Sequence, residues 1–231
     1  MSYDFGTELG QGAFNLDPKS LKELRLQSRE NPISIFKKAK KRNPIKYLQL
    51  VKEDFNKIGY AISEAGTAKI SGTLGGTPVS FEGLAVQEKD LKRKTNQQDM
   101  SAGMFRVFSL IVQLNALLIA KAPGCILIDD IGEGLDYSRT KRLVKLLISK
   151  AKASDMQLIM ASNDQFIMNE IPIEYWSLMH RVGHHVEVYN NENSQKIFKE
   201  FAMTGLSNFN FFSSNYFLKK PKKRAKNRSS S

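Results

Sequence analysis

Two short stretches hold residue types that could do chemistry. "CILIDD", residues 125–130, is a run of apolar residues ending in two aspartates, Asp129 and Asp130, the pattern of a buried strand with carboxylates at its end. An unpaired carboxylate taken out of water is costly. A Mg²⁺ ion would account for the pair, because it takes one or two carboxylates and leaves its other positions to water and phosphate. Solvent-facing aspartates that cap the next turn account for it equally well. The second stretch is "MSAGM", residues 100–104. Ser101 suits a helix N-cap, and a helix start with a small residue such as Gly103 is also a place where an anion can approach.

These residues need elements to position them. From Ser101 onward the pattern predicts a long helix, a strand at 125–129, a helix at 138–152, a strand at 156–161, a helix near 164–170 and a strand at 184–189. Buried β runs alternating with helices indicate an α/β fold with a parallel, sandwiched sheet. The apolar run "MFRVFSLIVQLNALLIAKA" contains Arg106, Gln113, Asn115 and Lys121, which suit a core helix and not a membrane span.

The front of the chain is organised differently. Tyr3–Leu16 reads as one or two strands, and Asp17 with Pro18 opens a helix. Breaks at Pro32 and Pro44 frame a basic helix over Ile33–Lys41 and a further helix to Lys57. From Tyr60 to Val86, four short alternating runs separated by glycines predict an antiparallel meander. "KDLKRKTNQQD" reads as a polar connection. The organisation expected is a helical and meander segment at 1–96, an α/β lobe at 97–217 and a basic tail at 218–231.

Charge is unevenly spread. The net charge is +12. Residues 17–57 hold twelve Lys or Arg against five acids, and Lys219–Arg228 holds seven against none. Such blocks fit nucleic acid, an acidic partner or simply solvated faces. The single cysteine, Cys125, excludes a disulfide framework and suits a reducing, cytoplasmic setting. It reads as a small core residue. His180, His184 and His185 make a poor metal set, because neighbours on a strand point to opposite faces. "GLSNFNFFSSNYF", residues 205–217, reads as an edge strand or hydrophobic latch rather than a stacking platform for single strands.

Taken in order, the Ser-Gly helix start, one long helix, an apolar strand ending in Asp-Asp and then "GLD" resemble the ATP-binding-cassette class of ATPases. The likeness is to the AAA-type branch related to SMC, RecF and the overcoming-lysogenization-defect nucleases, and it covers roughly residues 85–215. The resemblance implies that "MSAGM" is the signature motif, "CILIDD" the Walker B strand and "GLD" the D-loop. It implies that Ser101 and Gly103 contact the γ-phosphate of ATP held by an opposite subunit. Asp129 would hold Mg²⁺ through water, Asp130 would stand at the general-base position, Asp136 at the D-loop and Asn163 at the switch. Two of these depart from the family pattern, which has Glu at the base and His at the switch. Asn cannot take a proton from phosphate, and both departures point to slow hydrolysis.

The phosphate loop is missing. No G-x-x-x-x-G-K-[ST] run occurs, and at Lys19–Ser20 the place that needs Gly holds Pro18. The chain therefore reads as the C-terminal part of such an ATPase, completed by a Walker-A-bearing polypeptide and by dimerisation of heads. The resemblance makes DNA-related and phage-defence settings plausible. The competing reading is a non-catalytic basic scaffold that binds nucleic acid or an acidic protein through its basic helices and tail.

Overall fold

The computed structural model describes residues 14–15, 31–74, 77–121 and 123–219. The expected strand at Tyr3–Leu16 falls largely outside them, and the helix opened by Asp17 and the basic tail beyond Lys219 fall wholly outside. The chain forms two compact units, Met1–Ser162 and Asn163–Ser231.

In the first unit both prolines start helices rather than merely interrupting them. Helix α1 spans Pro32–Arg42, with Asn31 accepting a hydrogen bond from the Ser34 N–H at 2.9 Å. Helix α2 spans Pro44–Ile58, capped by Asn43. Proline at the first helical position costs no hydrogen bond and presets φ. Gly59, at φ +108°, ends α2 in the left-handed region that an L side chain avoids.

The expected meander of four short runs is instead one long hairpin. Strand β2, Ile62–Leu74, pairs antiparallel with β3, Thr77–Glu88. Gly66, Gly72 and Gly83 lie inside these strands and end nothing. Small residues face each other at Gly66↔Ala85 and Ala68↔Gly83, while Gly72 faces Val79. Part of the polar connection forms a short third strand, β4, Thr95–Asn96, along β3.

Helix α3, Ala102–Ala120, runs through the core with Arg106–Leu117 buried throughout. It is long and apolar enough to cross a membrane, but here its apolar surface packs against protein. Phe108 meets Phe36 of α1 and Phe55 of α2 edge-on, with centroids at 6.3 and 5.0 Å. Tyr47 packs on Phe36 and donates its hydroxyl to the Val112 carbonyl at 3.1 Å, and burial pushes its phenol far above the ordinary range. Full burial of each such ring stabilises by about 1.5–3 kcal/mol. The core also holds a polar cluster. Asp54 of α2 accepts from the Asn115 amide at 2.7 Å and pairs with Lys150 at 2.6 Å, while Lys150 also donates to the Asn115 amide oxygen at 2.8 Å.

Strand β5, Gly124–Ile128, helix α4, Tyr137–Lys152, and strand β6, Met156–Met160, form the expected β-α-β unit. The strands are parallel, Ile126 opposite Leu158, and β1, Phe14–Asn15, adds antiparallel to β5. The sheet order is β1-β5-β6, so among the described residues the parallel part is a single pair.

The second unit corrects the reading of residue 184 onward. The strand there is β8, His185–Asn190, and it pairs antiparallel with β7, Ser177–Val182, through a turn at Gly183 and His184. It is a mostly exposed hairpin arm and not a buried parallel strand. His184 sits in the turn, which sets its ring 5.3 Å from that of His185. Helices α5, Gln165–Glu170, α6, Gln195–Ala202, and α7, Asn208–Ser213, complete the unit. Its core is aromatic: Phe198, Phe201, Phe211 and Phe217 with Ile173 and Leu178. The 205–217 segment is thus a latch made of a helix and a 3-10 turn, with Phe211 and Phe217 buried and unable to stack on bases.

Candidate functional site

The 100–104 and 125–130 stretches meet in the first unit. Ser101 caps α3, its hydroxyl accepting from the Met104 N–H at 3.2 Å. Asp129 and Asp130 follow the last residue of β5 directly, both exposed. The loop after them, residues 131–136, is tied to the end of β6 by the Ile131 N–H donating to Ala161 at 3.2 Å, and it returns to pass against the start of α3.

Two contacts bring helix start and loop together. The first is backbone on backbone. A Cβ added at Gly103 would lie 2.0 Å from the Gly134 carbonyl oxygen, and Gly134 itself has φ +74°. The second is Arg106, one turn into α3 and 9% exposed. Its guanidinium donates to the Asp129 carbonyl at 2.5 Å and the Asp130 carbonyl at 3.0 Å, and it pairs with the Glu133 carboxylate. Arg106 therefore fixes the backbone of the Asp-Asp turn from within α3. Asp130 adopts φ +51°, a left-handed conformation that costs a non-glycine residue on the order of 1 kcal/mol. Lys121 and Asn215 share it at ordinary helix boundaries, whereas Asp130 holds it between a strand and a turn. Such outliers gather at functional sites.

Asp136 caps α4. Its carboxylate accepts from the Arg139 N–H at 2.9 Å and from the Arg139 guanidinium at 2.8 Å. The same guanidinium lies 4.5 Å from the Tyr60 ring centroid. The Arg139 N–H, aided by its guanidinium, holds the Asp136 carboxyl below its ordinary value of 3.8. A carboxylate held low contributes stability above that ordinary value and loses it as pH falls through the lowered one. Protection of the Arg139 amide in hydrogen exchange should therefore persist as pH is brought down through about 4 and fall only below it. Protection lost already above that ordinary value would contradict this cap.

Of the six residues singled out in the sequence, Ser101, Gly103, Asp129, Asp130 and Asp136 share this part of the first unit. Asn163 opens the second unit, exposed, beside Asp164, which caps α5. Gly134 was legible only as a turn glycine; its partner Gly103 is the missing half of the signal. Cys125 is half-buried, burial raises its thiol, and so it matches a packing residue.

The donor set fits Mg²⁺ in part. Two exposed carboxylates, neither bonded to another side chain among the described residues, suit an ion that takes the rest of its shell from water and phosphate. No group of three or more His, Cys, Asp or Glu side chains could cage a metal among the described residues.

Several solved structures are similar to this chain in part. An SMC ATPase described for ATP-driven dimerization and DNA-stimulated activation is 18% identical, with a TM-score of 0.45 over 68% of this chain and 91% of its own. The Smc head from Pyrococcus furiosus, bound to the C-terminal domain of ScpA, is 17% identical, with a TM-score of 0.45 over 73% and 41%. The SMC head domain from Thermotoga maritima is 16% identical, with a TM-score of 0.38 over 66% and 51%. No family model matches the sequence, and no curated protein matches it.

Proposed function

We propose that this chain supplies the signature, Mg²⁺-holding and D-loop elements of a composite ATP site, and that a phosphate-loop-bearing polypeptide and a second head complete it. The observation that carries this reading is the junction of Gly103 with Gly134 and of Arg106 with the Asp129 and Asp130 carbonyls. It gathers an anion-favouring helix start and four carboxylates, Asp129, Asp130, Glu133 and Asp136, around one loop. In this reading the α3 start and the Ser101 hydroxyl face the γ-phosphate of a nucleotide held by the opposite head. Asp129 holds Mg²⁺ through water. The ion, when bound, neutralises charge on the phosphate oxygens. Asp130 offers a carboxylate oxygen to the proton of the attacking water, and Asp136 serves the interface between heads. Asp130 is one methylene shorter than the glutamate of the resembled family, and Asn163 donates to a phosphate without accepting its proton. The assembly is accordingly built to bind ATP and close, with slow turnover.

The test is equilibrium binding of a fluorescent ATP analogue with Mg²⁺ to this chain alone and mixed with a phosphate-loop polypeptide encoded beside it. Binding is expected only in the mixture, and Asp129→Ala should weaken it tenfold or more, about 1.4 kcal/mol. Equal binding by wild type and Asp129→Ala would remove the metal-holding role.

A further inference from the structure

Among the described residues, a strongly charged surface outside the site is the outer face of α1 and its corner with α2. Residues 31–52 contain Lys37, Lys38, Lys40, Lys41, Arg42, Lys46 and Lys52 and no acid. The inner faces of the two helices are apolar, with Ile35, Phe36, Ala39, Tyr47, Val51 and Phe55 buried, so the helical period turns the cations outward. Lys37 pairs with Glu82 of β3. Lys40, Lys41 and Lys46 are exposed; Lys40 shares the Glu82 carboxylate with Lys37 at longer range, and Lys41 and Lys46 have no carboxylate partner among the described residues. The last turn of α1 is Lys40, Lys41, Arg42, and the first turn of α2 adds Lys46 with no acid. Like charges crowd a single rigid corner there, and a polyanion would relieve them.

We propose that this corner binds the phosphate backbone of a double-stranded nucleic acid, without reading its sequence. Binding of single strands relies on exposed aromatic platforms beside the cations, and here Phe36, Tyr47 and Phe55 are all inside, at 1%, 0% and 0% exposure. A membrane surface asks for an apolar face to insert. Ile45, 82% exposed, is the one exposed large apolar side chain of α1 and α2. What remains is fixed positive charge on a rigid scaffold, which suits a regular array of phosphates. This proposal does not depend on the nucleotide site and stands or falls separately from it.

The experiment is fluorescence anisotropy of a labelled duplex of mixed sequence titrated with the full chain over a range of salt. Three chains are compared with wild type: K40Q/K41Q/K46Q, K40R/K41R/K46R, and a tail variant, K222Q/K223Q/R224Q. Each phosphate contact contributes about −0.9 to the log–log salt slope, so the Gln triple should be shallower by about 2.7 and weaker by about tenfold or more at low salt. The Arg triple should bind like wild type, and the tail variant should keep the corner's share of the slope. Wild-type affinity and slope in the Gln triple would overturn the proposal. So would tighter binding of a single strand than of the duplex. Displacement of the duplex by polyglutamate as readily as by unlabelled duplex, charge for charge, would assign the corner to an acidic protein instead.

Discussion

Gly103→Ala should destabilise the first unit by about 3 kcal/mol, the reverse of the usual effect. Within an ordinary helix, exchanging Gly for Ala stabilises by roughly 0.5–1 kcal/mol. Here the new methyl would sit 2.0 Å from the Gly134 carbonyl oxygen, 2.7 Å from its carbon and 3.0 Å from Leu135 Cδ2. The first two are backbone atoms of a residue at φ +74°, so they cannot retreat by rotating a side chain. Either α3 shifts at its start or the 131–136 loop is pushed away, and Arg106 then loses its hold on the Asp129 and Asp130 carbonyls. Urea denaturation measures the cost, and hydrogen exchange in residues 129–136 shows whether the loop has moved. A variant as stable as wild type, with unchanged exchange, would mean that helix start and loop do not meet.

The second large effect is expected at Lys150, at the far end of α4. Asp54 is 1% exposed and Lys150 13%, and with Asn115 they join α2, α3 and α4 through charge inside an apolar core. Lys150→Met should cost about 3–5 kcal/mol, because it leaves the Asp54 carboxylate buried beside a neutral amide alone. Replacing both ends, Asp54→Leu with Lys150→Met, should recover most of that loss, since a buried ion pair exchanged for apolar side chains is often neutral. Chemical denaturation of the single and double variants forms the cycle. A single variant losing less than about 1 kcal/mol would show that the pair is solvated in solution.

Much of this architecture was legible because local signals agreed. Asn31 with Pro32 and Asn43 with Pro44 each combine a capping side chain with a preset φ, and both helices begin there. Ser101 caps the helix assigned to it, and the apolar run 125–128 is a parallel strand, whereas the cap that Asp136 supplies to α4 was not read from the sequence. The misreadings share a cause, which is that pairing is not local. Glycines inside β2 and β3 look like turn residues until each finds its partner across the ladder, Gly66 opposite Ala85, Gly72 opposite Val79 and Gly83 opposite Ala68. The 184–189 run looks like a buried strand until β7, which carries Ser177, His180 and Arg181, pairs with it and leaves most of both exposed. The candidate site was half legible. Residue types at Ser101, Asp129, Asp130 and Asp136 announced chemistry, but the contacts that join them, Gly103 to Gly134 and Arg106 to two carbonyls, link residues 23–31 positions apart that carry no mark of each other. The Asp54–Asn115–Lys150 cluster was invisible for the same reason.

The composite site is tested most directly by nucleotide-driven association of heads, followed by light scattering of the chain mixed with a phosphate-loop polypeptide and Mg²⁺-ATP. Ser101→Arg places a bulky cation where the opposite head's γ-phosphate is proposed to lie, and loss of its cap costs the fold only about 1 kcal/mol. ATP-dependent doubling of mass is expected with the wild type, and none with Ser101→Arg even though each head still binds ATP. Doubling by both chains, or by neither, would contradict the composite site.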